Sequence, residues 1–454
     1  MSRGRQRIDV VVLGAGAAGL AAARDLSQAG LRVTVLEARP RVGGRILTVH
    51  DPRSPVPLEL GAEFVHGEAP ETLAVARAAG LAILELPDLH ETVIAGRFRT
   101  GGDLWDAFNR MNKDLAKLVA ARGKDFPVSE YLESARPPGG ALGGGRGMLQ
   151  SFVEGFYAAQ PERLSAKSLA VEANEEEEDS MEGKQFRIGN GNDALMKWLR
   201  DGLDPDRCEV RLSTVAHSVQ WKRGSTRVEC RAGDGAELPT LSARSVIVTL
   251  PLAVLKAGVL KFDPALPAKQ RAMAKLETGQ VFKIVLRFRE AFWDEPEFLK
   301  ERRQHNTANG AGVNFLHAPG TEVPVWWTAA PVRAPIITGW VGSVRAEALL
   351  AEEPQSRVER SLVALSDVLA VPRREIEAQL DAWLSHDWRA DPFARGAYSY
   401  IGVGGIGAPR TLGRPVNDTL FFAGEATNGE QIGTVAGALA SGRRAAREVL
   451  RALE

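Results

Sequence analysis

The chain has 454 residues, 44% hydrophobic and 25% charged, and its 57 basic and 57 acidic side chains give a formal net charge of zero. That length holds two domains around a large core, and the charge balance excludes a general attraction to nucleic acid or to an anionic membrane. Cys208 and Cys230 are expected to be isolated thiols, without metal-ligand spacing. No run reaches transmembrane length, and MSRGRQR enters the first strand without an apolar signal, so a soluble cytoplasmic protein is expected.

Ile8–Leu13 reads as a buried parallel strand, Gly14, Gly16 and Gly19 as a tight turn, and residues 18–29 as a small-residue helix that Gly30 stops. A Cβ at Gly16 would hold a pyrophosphate away from the backbone N–H groups at the helix start. A second strand over residues 31–36 ends at Glu37, whose carboxylate suits two ribose hydroxyls and repels a 2′-phosphate. A bare glycine motif would say little. Strand, glycines, helix, strand and acid in register make a dinucleotide-binding unit. Gly43 and Gly44 then form a second glycine turn, beside which Arg45 offers a fork to phosphate oxygens.

After LELGAEFVHG (residues 58–67), residues 70–200 read as polar and helical, with a helical piece over 126–133. The glycine-rich run 139–147 lacks a preceding strand and a Lys-Ser/Thr ending, so a flexible connection is expected, and the acidic run 175–179 reads as a solvated surface. Strands return over 208–230 and 245–250. Val281–Phe288 (VFKIVLRF) and residues 325–341 follow, then an amphipathic helix at Pro354–Leu369, a strand over 419–423, a Gly424-Glu425 turn and a small-residue helix over 433–453. Alternation puts Lys283 opposite Phe282 and Ile284, either outward on a half-exposed strand or kept for chemistry. His66, in GAEFVHG, can accept from an ammonium or ease its deprotonation, the other reading being a histidine capped in a turn. His50, His90, His217, His305, His317 and His386 show no paired spacing and are expected to be structural.

Four stretches taken together resemble the flavoprotein amine oxidase superfamily of monoamine oxidases, polyamine oxidases and lysine-specific histone demethylases. They are EAR at residues 37–39 leading to GGR at 43–45, Lys283 ahead of Phe292-Trp293, DWRADPFARGAYSYI at 387–401, and LFFAGEATN at 420–428 with GTVAGALASGRRAA at 433–446. The resemblance covers nearly the whole chain and implies an α/β fold of two domains. A Rossmann-like FAD-binding domain would be assembled from residues 1–80, 205–285 and 385–454, and a substrate domain of helices over a mixed sheet from 81–204 and 286–384.

The resemblance further implies which residues meet FAD. Gly14, Gly16, Ala18, Gly19, Gly43, Gly44 and Arg45 would hold the pyrophosphate region, with Glu37 at the ribose and Ala38, Arg39 and Val215 also at the cofactor. Gly61, Ala62, Glu63, Phe64, Trp388, Gly424, Glu425, Thr434 and Val435 would lie along the flavin. Lys283 would hold a water against flavin N5, Tyr398 would be one wall of an aromatic cage, and His66 would face the substrate. Ala397 stands where mitochondrial monoamine oxidases link their flavin through cysteine, so the FAD is expected to be noncovalent. Thr434 stands where their second cage tyrosine would be, leaving the cage half open. Tyr400 reads as a structural aromatic.

The implied reaction takes a hydride from the carbon beside a neutral amine nitrogen to flavin N5, and a dry aromatic pocket favours that neutral form. The iminium is hydrolysed to an aldehyde or ketone, and O₂ becomes H₂O₂. The expected partners are a primary or secondary amine, a polyamine among the candidates, and O₂, with no metal, and the enzyme is expected as a monomer or homodimer. An L-amino acid oxidase would need a positioned arginine for the substrate carboxylate. A carotenoid or porphyrinogen desaturase would share residues 14–37 without requiring Lys283, and a chromatin-binding flavoprotein would need a long insertion. Trp326 and Trp327 suit either a pocket or a core, and Glu154 is left unassigned.

Overall fold

Strands covered on both faces read as unbroken apolar runs, and the run at Ile8–Leu13 becomes the middle of a parallel sheet, with Val10, Val11 and Val12 fully buried. It pairs with Val33–Leu36 on one side and Leu241–Val248 on the other. The computed structural model describes residues 8–100, 103–134, 144–172, 184–303 and 312–454. Cys208–Arg211 extends the sheet beyond Val33–Leu36, and Leu420–Phe422 pairs in parallel with the end of Leu241–Val248. Ser225–Ala232, Thr214–Lys222 and Lys261–Asp263 complete eight strands. Helix Ala17–Gln28 packs on this sheet and crosses the last helix, Val435–Leu453. At the crossing a Cβ on Gly442 would stand 2.2 Å from the Ala18 carbonyl, so glycine is what lets the two helices touch.

A second sheet of seven strands runs Leu380–Ser385, Val281–Phe288, Ile336–Gly342, Val325–Thr328, Phe315–His317, His90–Ile94 and Arg97–Thr100. Val281–Phe288 is buried at every position, and its two faces differ in character. Phe282, Ile284, Leu286 and Phe288 enter one apolar core with Trp293, Leu349 and Leu365. Val285, on the opposite face, packs with Leu58 and Leu60, while Lys283 bonds to Glu63 and Arg287 to Asp51. The alternation is real, but the opposite face is a seam against residues 51–63 rather than solvent. Lys283 is therefore buried, not outward.

The strand Val281–Phe288 runs across the expected domain boundary at residue 285 and lies wholly in the second sheet. Phe186, Ile188, Leu195, Met196 and Leu199, expected in the substrate domain, pack in the core around Ala17–Gln28. The glycine-rich run differs from the expected connection: Gly144–Phe156 is a helix whose Leu149, Phe152 and Val153 pack with Phe108 and Met111, and this tertiary packing outweighs the poor helix propensity of its opening glycines. Residues 139–143 and the acidic run 175–179 lie outside the described residues. No helix among the described residues is long and apolar enough to cross a membrane.

Candidate active site

A cavity of about 1800 Å³ runs from the first glycine turn, along the seam between the two sheets, to a cluster of aromatic side chains. Of the residues expected at the cofactor, all but Gly19 stand on its wall, and so do Lys283, His66 and Tyr398. Gly19 is set back. A Cβ there would lie 1.9 Å from the Gly14 carbonyl, so its part is to let the helix sit against the turn.

The glycine end has the shape that a dinucleotide needs. A Cβ on Gly16 would find Gly44 Cα at 3.9 Å and nothing closer, and the gap between the two glycine turns opens at the N-terminus of Ala17–Gln28. Glu37 accepts from Ala15 N at 2.8 Å and Arg39 N at 2.9 Å, which fixes the carboxylate on the cavity wall. A carboxylate has about four acceptor sites, so capacity remains for ribose hydroxyls. Arg39 is held in turn by Asp391 at 2.8 Å. Arg45 donates to Ala397 O at 2.5 Å and to Glu425 at 3.0 Å, and Glu425 also accepts from Ser399 Oγ and Gly433 N, each at 2.9 Å. Trp388 is anchored by its indole N–H to Leu60 O at 2.9 Å. Thr434 caps the last helix by accepting from Gly437 N at 2.9 Å, which aims the helix N-terminus at the cavity. These residues fit FAD.

At the other end Lys283 Nζ donates to Glu63 Oε2 at 2.5 Å and to Gly61 O at 3.2 Å. Glu63 Oε1 accepts from Arg187 and from Trp327 Nε1 at 3.0 Å. Burial by itself would raise the Glu63 carboxyl, but Lys283 and Arg187 outweigh it and hold the group below the ordinary carboxylate value. The neighbouring Glu59 bonds to neither cation directly, and burial pushes it up to about 7 against hydrogen bonds from Asn192 N and Thr48 and the attraction of Lys283.

His66 opens on the cavity with Phe156 edge-on at 5.3 Å, and its apolar surroundings lower its imidazole to about 4 by disfavouring the charged form. It is neutral at physiological pH. Tyr398 donates its hydroxyl to Phe156 O at 2.6 Å, and burial pushes that hydroxyl above the usual tyrosine range. Of the two tryptophans left open, Trp327 lines the cavity, whereas Trp326 is fully buried in the core with its N–H on Val323 O. Tyr400 is buried against the helical cluster and also reaches the cavity wall.

His90 and His317, which show no paired spacing in the sequence, meet in space: their rings bond at 2.9 Å, both face the cavity, and Phe315 stacks on His90 at 4.6 Å. Their strands pair in parallel although 227 residues separate the two rings, a juxtaposition that local spacing does not show. Burial lowers His90 to about 4 and His317 to about 3, the latter helped by His90. His305 lies outside the described residues. Arg187 carries no such signal in the sequence, since an arginine alternating within QFRI looks like any exposed strand position. Glu154 bonds to Gln150 and Arg345, away from the cavity.

A family model for flavin containing amine oxidoreductase matches residues 17–450. Probable polyamine oxidase 4 of Arabidopsis thaliana is 29% identical over 97% of this chain and 87% of its own length. Lysine-specific histone demethylase 1 homolog 2 of Oryza sativa subsp. japonica is 30% identical over 99% of this chain but only 58% of its own length. Among solved structures, putrescine oxidase bound to putrescine covers 98% of this chain and 99% of its own, with TM-score 0.78 and 21% identity. Cyclohexylamine oxidase from Brevibacterium oxydans IH-35A covers 99% and 100%, with TM-score 0.78 and 19% identity. At those identities the two structures establish the fold. A family match that begins in the first glycine-turn helix and ends in the last helix, on a framework whose glycine turns leave room for a dinucleotide, makes this chain a member of the flavin-containing amine oxidoreductases, an FAD-dependent enzyme acting on amines.

Proposed function

We propose that the enzyme is an amine oxidase that takes a hydride from the carbon next to a neutral amine nitrogen and releases an iminium, which water converts to an aldehyde or ketone. Bound FAD supplies the two-electron acceptor and passes the electrons to O₂, giving H₂O₂. The observation that carries this reading is a single cavity that joins the glycine turns to an aromatic chamber holding Lys283 and an uncharged His66. Phe64, Phe156, Trp327 and Tyr398 provide apolar walls that disfavour ammonium. His66, neutral above about pH 4, is able to accept a hydrogen bond or proton from the arriving amine. Lys283 has three ammonium donors, of which Glu63 and Gly61 take two, leaving one for a water on the cavity side.

The carboxylates deep in the chamber are already paired, Glu63 with Lys283 and Arg187 and Glu425 with Arg45. A primary or secondary amine with one charged nitrogen and an apolar body suits these walls. Glu68, exposed beside His66 on the cavity wall, is able to meet a second ammonium, so a polyamine is the second reading. An L-amino acid oxidase fits less well. Arg187 is spent on Glu63 and the Thr328 carbonyl and does not stand on the cavity wall.

Ala397 offers only a methyl group, so FAD is held noncovalently and acid precipitation should release it; flavin that stays with the precipitated polypeptide would contradict this. For the reaction, a panel of amines should bleach the oxidised flavin anaerobically and generate peroxide in air without added nicotinamide. Lys283→Met should keep FAD but slow flavin reduction, its reoxidation by O₂, or both, in stopped-flow mixing. Failure of every amine to bleach the flavin would move the desaturase or amino acid oxidase reading to the front.

A further inference from the structure

Lys283 shares its counter-ion. The Glu63 carboxylate divides its oxygens, Oε2 to Lys283 at 2.5 Å and Oε1 to Arg187 and the Trp327 indole. The three charged side chains are 3%, 7% and 16% exposed for Lys283, Glu63 and Arg187 respectively. They arrive from three places: Lys283 from the seven-stranded sheet, Arg187 from the strand Gln185–Ile188, and Glu63 from the residue before Phe64–His66. Asn192 Nδ2 donates to Ala62 O at 2.8 Å and Glu63 O at 3.2 Å, which holds the Glu63 backbone in place. Arg187 is fixed by Thr328 O at 2.7 Å, and Ser385 Oγ donates to the Lys283 carbonyl at 2.7 Å. Among the described residues Glu59, kept on Thr48 and Asn192, is the further ionisable group that acts on this cluster.

Taken apart, the cluster is unstable by design of its charges. An ammonium and a guanidinium buried side by side repel each other, and each needs a compensating anion. Arginine does not give up its proton in such a setting, whereas a buried lysine readily does. One carboxylate between the two removes the conflict for both.

We propose that Glu63 is a positioning residue that keeps Lys283 protonated and fixed, with one N–H turned to the cavity, against the repulsion of Arg187. This rests on the reading of Lys283 given above and adds what that reading lacks, namely why a lysine in an apolar seam stays charged. Glu63 acts through Lys283 and is not itself asked to touch the substrate.

The test uses the flavin-loaded enzyme. It compares wild type, Glu63→Gln, Arg187→Met and the double variant between pH 6 and pH 10. Each is reduced anaerobically by amine and then mixed with oxygen, the half-reaction that Lys283→Met slows being the one followed, and in parallel the absorption spectrum of the oxidised flavin is titrated, which requires no turnover. The wild type should show no loss of that rate with rising pH over most of this range. Glu63→Gln should lose rate with rising pH by about tenfold per unit above the new lysine pKa, and its flavin spectrum should titrate at the same pH. Arg187→Met, which leaves the Lys283–Glu63 pair intact, should show no such limb. In the double variant the limb should return toward higher pH, because the repelling guanidinium is gone.

A uniform rate drop in Glu63→Gln with an unchanged pH profile and spectrum would mean a merely structural Glu63 and would overturn the proposal. If Glu63→Gln fails to fold, Glu63→Asp serves instead. It keeps the charge but draws it back from Lys283, so the limb should appear at the alkaline end of the range, and a flat profile overturns the proposal equally. Lys283→Met separates the two levels of argument. Unchanged half-reactions there remove the lysine reading itself, whereas slowed half-reactions with a flat Glu63→Gln profile remove only the role of Glu63.

Discussion

The same substitution has opposite consequences at Gly16 and Gly19. A methyl group on Gly16 meets no protein atom closer than 3.9 Å, so Gly16→Ala should fold normally, yet the methyl stands where a phosphate must approach the helix N-terminus. On Gly19 the methyl would lie 1.9 Å from the Gly14 carbonyl, and the turn has to move; overpacking of this kind costs about 1–3 kcal/mol. Gly16→Ala is therefore expected to purify with an apoprotein melting temperature close to that of wild type but little bound flavin, and Gly19→Ala with a lowered melting temperature. Flavin-to-protein absorbance ratios and thermal melts check both, and full flavin occupancy in Gly16→Ala would count against the phosphate cradle. Glu37 is a second point of leverage. Its carboxylate organises Ala15 N and Arg39 N as well as offering ribose acceptors, so Glu37→Ala should weaken FAD retention by about 1–3 kcal/mol. Retention of all FAD through dilution and dialysis would contradict that assignment.

At the scale of elements, the contact that aligns the site is the crossing of the first and last helices. Small residues at that crossing bring the N-terminus of Val435–Leu453, capped by Thr434, and the N-terminus of Ala17–Gln28 onto one cavity. Gly442→Val would push side-chain atoms into the Ala18 backbone, so urea denaturation should show a loss of about 1–3 kcal/mol together with reduced flavin content. A variant with normal stability and flavin would show that the crossing does not set the site. Elements of this kind were legible from sequence because their causes are local. Ile8–Leu13 and Val281–Phe288 have the expected bounds, since an apolar run bounded by turn residues is its own signal. The direction of Lys283 was half legible: alternation separates it from Phe282 and Ile284, but whether the other face meets water or protein depends on residues 51–63, more than two hundred positions earlier. Arg187 meets Glu63 across 124 residues, and His90 meets His317 across 227, so neither pairing leaves a periodic trace. The helix that begins at Gly144 escaped for another reason, since glycines carry a loop signal that tertiary packing overrode.

The whole molecule gathers several ionisable groups along the cavity and the seam between its two sheets, among surroundings that disfavour their charged forms, and this makes stability depend on pH in a definite direction. His66 is lowered to about 4, His90 to about 4 and His317 to about 3, against an ordinary value of 6.5. Between about pH 4 and 6.5 the unfolded chain protonates these three rings and the folded chain does not, so the unfolded state binds more protons and stability must rise with pH across that window. Glu59 works the other way. Its value of about 7 against an ordinary 4.5 means that the fold keeps a proton which the unfolded chain releases, so its contribution falls as pH rises from 4.5 to 7. Asp25 and Asp294, raised by burial, act in the same direction as Glu59. The three rings each stand more than two pH units below their ordinary value, so they outweigh the carboxyls up to about pH 6.5, above which the opposing contributions nearly cancel. The flavin-loaded protein is accordingly expected to have a urea midpoint that climbs from pH 4.5 to 6.5 and then levels. His317→Asn, which removes one titrating ring while keeping a polar partner for His90, should flatten that climb by about one proton in three to four. A midpoint that stays constant or falls between pH 4.5 and 6.5 would mean that these histidines are charged in the folded enzyme, and the uncharged His66 on which the amine chemistry rests would fall with them.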